Sequence, residues 1–392
     1  MYYKKSLRAN WRDAFVKLRK VLFSWSSRNL PTLHSRIHVV HTFALSILWY
    51  RSQVLPLPLN WVRELEMLVG QFLWAGSLER LRVDEVKNPP ELGGLGLICL
   101  KSKADSLLVK TLCHIVALPS GNTYWQVVKF WLGIYLRENF PRMWVGAHYG
   151  YLLPDYFKVL LMLFKNMVIN GSCDLWKLSC VTTKQLYLEA TSTFPPPKIV
   201  YKVEPTGLEG GWYQAFQRLA HPVHDAGARD LMFRAIHNIL PTRQRRNRIG
   251  LDPDAFCSNP LDPIKRRMFG PLPLSGERMW KVVGGEVDNV EHTFCSCVGV
   301  REAWGWLRRL ILNLLPSSGA SVSNFELIMF LFPVSSNDVT ISWLISTYCN
   351  YAWYTARRQK KNLDVHNLRV YLKYHYQAHQ LTRRSKLVLI DF

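Results

Sequence analysis

Acidic residues are scarce in this chain. Only 28 Asp and Glu stand against 50 Lys and Arg, a formal net charge of +22 over 392 residues. That shortage favours a polyanionic partner, because every phosphate neutralised by a cation releases condensed counterions. A merely solvated basic surface is the plainer alternative, and clustering of the arginines tilts the balance to nucleic acid. A regular cysteine framework is also missing: of eight cysteines, Cys99, Cys113, Cys173, Cys180, Cys257 and Cys349 are scattered. No apolar leader follows Met1-Tyr2-Tyr3-Lys4-Lys5, so a reducing, intracellular setting is expected. Long apolar runs are absent too. Asp155, Lys158 and Lys165 interrupt Tyr151 to Ile169, and Ile341 to Tyr354 includes Asn350. Both fall short of the roughly 20 apolar residues that cross a bilayer, so no membrane partner is expected.

Several catalytic signatures are missing as well. No two aspartates are adjacent, and Asp252 and Asp254 flank Pro253 after Gly250, where turn chemistry accounts for them. No Glu-x-Lys follows Pro253-Asp254, and no Gly-x-Ser-x-Gly elbow occurs. The glycines of Pro89-Pro90-Glu91-Leu92-Gly93-Gly94-Leu95-Gly96-Leu97 do not run directly into a Lys-Ser/Thr pair as a P-loop requires, Lys101-Ser102 being set off from Gly96 by four apolar residues, so they are read as conformational rather than as a phosphate cradle. No catalytic residue is assigned, and the chain is not expected to be an enzyme.

What remains is helical periodicity. Trp11, Phe15, Leu18, Leu22 and Trp25 fall on one face of a helix over residues 10–26. A second helix is predicted over 32–55, broken at Pro56-Leu57-Pro58, and a third over 61–74, with Leu65, Leu68, Val69 and Phe72 inward. Further helices are predicted near 103–117, 124–138, 154–168, in two pieces over 212–240, and over 304–315, 325–332 and 341–358. The expected fold is mostly α: a helical bundle, then a small degenerate zinc-binding-like module, then C-terminal helices. The expected segments are 1–117, 118–200 (ending in the stiff Pro195-Pro196-Pro197 linker), 201–315 and a basic tail 316–392.

One stretch carries metal chemistry. In Glu291-His292-Thr293-Phe294-Cys295-Ser296-Cys297, His292 and Cys297 are potential ligands and Cys295 is a spare thiol. A closed zinc site takes four such donors in a tetrahedron. Upstream, before Gly284-Gly285-Glu286, stand Trp280 and Val283, which cannot ligate. Cys257 is a more distant donor. Downstream comes Arg301-Glu302-Ala303-Trp304-Gly305-Trp306-Leu307.

This run resembles the zinc-binding domain downstream of the polymerase in non-LTR retrotransposon reverse transcriptases. His292 and Cys297 fall on that family's third and fourth ligands, Trp280 and Val283 on its first and second. Trp25 to Ile37, Leu48-Trp49-Tyr50, Gln53 to Pro58, Phe72-Leu73-Trp74 and Gly93 to Leu97 resemble, in order, the same family's thumb and connection. His237 to Arg243 resembles the helix end before its zinc segment. The resemblance implies a fragment whose polymerase palm is not in this chain. Two ligands seldom hold zinc firmly, so a metal-free remnant with Phe294, Trp304 and Trp306 as core is expected, zinc held with Cys295 or a distant donor such as Cys257 being the alternative. A role in gripping RNA or DNA follows. The basic clusters expected to serve it are Arg243, Arg245, Arg246 and Arg248, with Lys265, Arg266 and Arg267. Arg357, Arg358, Lys360 and Lys361 suit either a helix C-terminus or a further phosphate contact. Completion of a polymerase by a palm-containing reverse transcriptase chain, or an inert structural relic, are the alternatives.

Overall fold

The computed structural model describes residues 2–28, 30–75, 81–140, 143, 152–170, 175–192, 195, 197–202, 211–252, 255–257, 286–316, 321–381, 387 and 390. Lys265, Arg266, Arg267, Trp280, Val283 and Asp254 lie outside them. Among the described residues the fold is helical. The one β contact is an isolated antiparallel bridge between Phe256 and Val287. The chain divides into two compact units, Met1–Ser77 with Gly96–Pro195, and Leu78–Leu95 with Pro196–Phe392.

The first unit opens with α1 (Tyr2–Ser26), α2 (Leu33–Val39), α3 (Ser46–Ser52) and α4 (Leu59–Trp74). The 3.6-residue stripe Trp11, Phe15, Leu18 and Leu22 is buried, whereas Trp25 is only half-buried and stacks on Phe43 at 5.1 Å. The indole of Trp11 donates to the Pro56 carbonyl at 3.2 Å, so the proline break supplies the acceptor that a buried N–H requires. Thr32 and Ser35 form a capping box that starts α2. The helix predicted over 32–55 is instead α2 and α3 joined by a π turn, Val40–Ala44. Arg36 donates to the Leu73 carbonyl at 2.8 Å, placing a cation on the otherwise open carbonyls at the end of α4.

The rest of this unit is α6 (Leu100–Ala117), α7 (Thr123–Leu136), α8 (Asp155–Phe164), extended by a π turn to Ile169, and α9 (Thr183–Thr191). Asn122 caps α7 by accepting from the Tyr124 and Trp125 amides. Leu108, Leu112, Trp125, Leu132, Phe164 and Leu186 close one apolar core. No helix among the described residues is long and apolar enough to cross a membrane.

The second unit begins with α5 (Val83–Lys87) and a 3₁₀ turn at Pro90–Leu92. Gly93, at φ +80°, sits where a Cβ would lie 2.5 Å from the Phe216 ring, and a Cβ on Gly94 would lie 1.9 Å from the Asn88 carbonyl oxygen. The left-handed backbone of Gly93 fits the conformational role expected of these glycines, and both also allow close packing, which was not expected. Then follow α10 (Lys198–Lys202), α11 (Gly211–Ala220), α12 (Ala226–Ile236), α13 (Arg243–Arg248), α14 (Arg301–Leu314), α15 (Asn324–Ile328), α16 (Asp338–Ala352) and α17 (Val365–Leu381). The apolar run 341–354 falls mainly in α16, which is buried on all sides from Thr340 to Cys349. Arg218, buried, donates to Asp338 at 2.7 Å and to the Phe330 and Phe332 carbonyls at 2.7 and 2.9 Å. Its charge is thus fully partnered, as a buried guanidinium requires.

Candidate metal centre

Two short pieces of backbone build the centre. Residues 255–257 pair with 286–288: the Cys257 amide donates to the Glu286 carbonyl at 3.1 Å and the Asp288 amide to the Ala255 carbonyl at 2.8 Å. The chain then turns through a π helix, His292–Ser296, closed by the Cys297 amide donating to the His292 carbonyl at 2.9 Å. This i→i+5 bond belongs to a π turn. It brings residues five apart together, whereas α-helical winding would separate them by about 140°. His292 and Cys297 therefore meet because of this local geometry.

Cys257, His292 and Cys297 are all buried, and their donor atoms lie within 4.8 Å of one another. The Cys257 and Cys297 sulfurs are 3.9 Å apart, far outside a disulfide bond. Tetrahedral zinc with bonds of about 2.3 Å to sulfur would hold two thiolates about 3.8 Å apart. His292 Nδ1 contacts Glu286 Oε2 at 2.7 Å, which leaves Nε2 as the remaining ring donor. Nε2 is buried with no hydrogen-bond partner. A carboxylate holding one imidazole nitrogen so that the other faces a metal is the usual outer-shell arrangement. Burial lowers the His292 pKa, but Cys297, Asp288 and Glu286 outweigh it, and the net shift is upward. The same anionic surroundings favour any cation there, proton or metal ion. The donors and their spacing fit a metal such as zinc, and a closed zinc site would need a fourth donor besides these three.

No protein-family model and no curated protein matches this chain.

The spare-thiol reading of Cys295 needs correction. Cys295 is buried and is not in the cluster, and burial, followed by Cys349 and Glu291, pushes its thiol up. It sits inside the π turn, whose ends carry the two ligands, so its side chain points into the core. Cys257 takes the third place instead. Phe294 and Trp304 are core as expected, but Trp306 is half-buried beneath Arg369, whose guanidinium lies 5.0 Å from the ring centre.

Asp288, fully buried, ties the centre to its surroundings. Its Oδ2 accepts from the Arg243 amide at 2.9 Å and its carbonyl from the Gln244 amide at 3.1 Å. Its Oδ1 accepts from Thr293 at 3.1 Å and from Arg357. Carboxylate and N-terminal amides of α13 are a favourable pairing. Arg357 also donates to Thr293 Oγ1 at 3.0 Å. Burial lowers its pKa, while Asp288, Cys257 and Cys297 raise it, for a net upward shift. Arg357 thus points inward to the centre, and the phosphate-contact alternative for it is overturned.

The arginine cluster is only partly available to a ligand. Thr242 caps α13 by accepting from the Arg245 amide. Arg246 donates to Asp252 at 3.0 Å, Arg243 lies 3.8 Å from the same carboxylate, and Arg243 Nη1 donates to the Phe256 carbonyl. Arg245 is half-buried and Arg248 is exposed. Asp252 is an ion-pair anchor. Sequence reasoning missed the roles of Glu286, Asp288 and Arg357. Asp288, one turn before His292, carries a faint local signal, and Arg357 carries none.

Proposed function

We infer that this chain is a non-catalytic nucleic-acid-binding protein whose second unit is stapled by a zinc ion at Cys257, His292 and Cys297. The observation that carries the reading is the excess of 50 basic over 28 acidic residues. In the second unit Arg248, Arg309, Lys360, Lys361, Arg369 and Lys373 are exposed, with Tyr374 beside them in sequence at 68% exposure. Exposed cations grip phosphates, and an exposed ring offers a face on which a base can stack. The order of motifs from Trp25 to Leu307 supports descent from the C-terminal part of a non-LTR retrotransposon reverse transcriptase. In this reading the metal is structural. It joins two backbone pieces that are far apart in sequence, and its binding free energy is folding free energy. The ion would supply no reaction step; Cys257, His292 and Cys297 hold it, and Glu286 orients the imidazole.

Titration of single-stranded RNA and duplex DNA across a salt series tests the reading, with metal content measured on the same sample. Affinity should fall steeply with salt, with a slope of about −0.9 per duplex phosphate contacted, and zinc should be found at one per chain. Absence of binding at low salt sinks the nucleic-acid reading. A metal-free protein of unchanged stability sinks the staple.

A further inference from the structure

The packing of α1 on α4 in the first unit leaves an apolar groove of about 550 Å³. Phe15, Leu22, Leu68 and Phe72 form its floor, and Phe15 also packs on Trp61 with ring centres 4.8 Å apart. Along the α1 lip, Val16 and Phe23 are 44% and 79% exposed. They are seven residues apart, two helical turns or about 10 Å. Between them Arg19 and Lys20 line the groove and are exposed. Ser26 and Gln71 complete its polar edge, and no acidic side chain lines it. An exposed apolar patch rimmed by polar groups is the usual mark of an interaction surface.

We propose that this groove docks an acidic amphipathic helix from a partner protein. Helix-in-groove recognition uses apolar anchors at i, i+3 or i+4, and i+7 on the incoming helix, and the roughly 10 Å apolar lip from Val16 to Phe23 is as long as that two-turn anchor span. Charge selects the flank of the incoming helix. Arg19 and Lys20 are joined on α1 by exposed Arg12 and Lys17, against Asp13 alone over residues 9–26. Asp and Glu beside the apolar anchors complete these cations and speed encounter. A second copy of this chain fits poorly, since it brings another +22 and the same Arg19 and Lys20. A nucleic-acid strand also fits poorly. It needs cations in a row and exposed ring faces, and the floor here is recessed apolar side chains.

A fluorescently labelled peptide of about 16 residues, with Leu at i, i+4 and i+7 and Glu on the flanks, is the probe. It is titrated into the full chain beside a counterpart whose Glu residues are Lys. The acidic peptide should bind at least about tenfold tighter. Phe23→Asp should weaken it by about tenfold or more, and Arg19→Glu with Lys20→Glu should reverse the preference. All three side chains are exposed, so thermal melts of the variants should match the parent. If Phe23→Asp shifts the melt, the charge-reversal pair alone decides. Equal binding of both peptides, binding of neither, or indifference to the charge reversal overturns the proposal. So does a single-stranded RNA that displaces the peptide and loses affinity equally in the variants. RNA binding by the parent chain is read separately in the salt series, so the two readings can fail independently.

Discussion

The two units bury different kinds of group. Among the described residues, the first unit buries Thr32, Ser52, Asp105 and Ser106 as its polar or charged members. Its helices meet through apolar stripes. The second buries Arg218, His224, Asp230, His237, Asp288 and His292, drawing on polar partners such as Asp338 for Arg218 and Glu286 for His292. Apolar packing is non-directional and degrades gradually. Buried polar groups are all-or-none, because a lost partner leaves an uncompensated charge or dipole. The second unit should therefore respond more sharply than the first to protons, chelators and single deletions.

The sharpest break in that contrast is Asp288→Ala, which strands half-buried Arg357 and the amide of Arg243. Denaturant unfolding followed by probes in each unit should show the second destabilised by about 3–5 kcal/mol. A loss under about 1 kcal/mol would show that Asp288 does not carry the contrast. Leu132→Ala is the counterpart in the first unit. It removes a fully buried side chain and should cost about 2–5 kcal/mol, with the same value at pH 7 and pH 5.

The pH response sharpens the comparison. Burial holds His224 down at about 3 and His237 at about 4, from the ordinary 6.5. Their folded pKa values lie below the unfolded one, so the unfolded chain takes up the proton first. Their stability contribution is complete above about pH 6.5 and falls with pH toward about 4. The loss is about 1.4 kcal/mol per pH unit for each fully shifted histidine. In the first unit His41 is lowered too, by burial and then by His38, so its response should have the same sign and be weaker. Equal slopes in the two units would contradict the difference in buried groups.

Metal removal should act on one unit only. Chelation should lower the stability of the second unit by about 2.7 kcal/mol where zinc had stood at a hundred times its Kd, measured by melting with and without chelator. Cys257→Ser should abolish stoichiometric zinc, and Cys295→Ser should leave it in place. Smallest in stability is Arg248→Ala, at an exposed side chain. It should change melting by no more than about 0.5 kcal/mol, yet lower the salt slope of RNA binding by about 1.

Local order was legible in the sequence where one periodic face met one core. Trp11, Phe15, Leu18 and Leu22 were readable as a buried stripe, and the break at Pro56-Leu57-Pro58 as a helix end. The π turns at Val40–Ala44 and His292–Ser296 were not, because a π turn changes the repeat without changing the residue types. His292 and Cys297 were paired through the motif resemblance, while the π turn that brings them together was not legible. Cys257, 40 positions from Cys297, was a candidate among scattered thiols. Four neighbouring arginines were visible, but not that Arg243 and Arg246 turn to Asp252.

By itself, then, the sequence determined the helical class, the basic charge and two members of the Cys/His cluster. Each of these depends on composition or on residues within a turn or two of one another. Tertiary structure alone decided which thiol completes the cluster, which carboxylate orients its histidine, and which arginines remain outside. Those choices depend on backbone segments that only folding brings together, and chain entropy sets no preference among distant thiols until packing does.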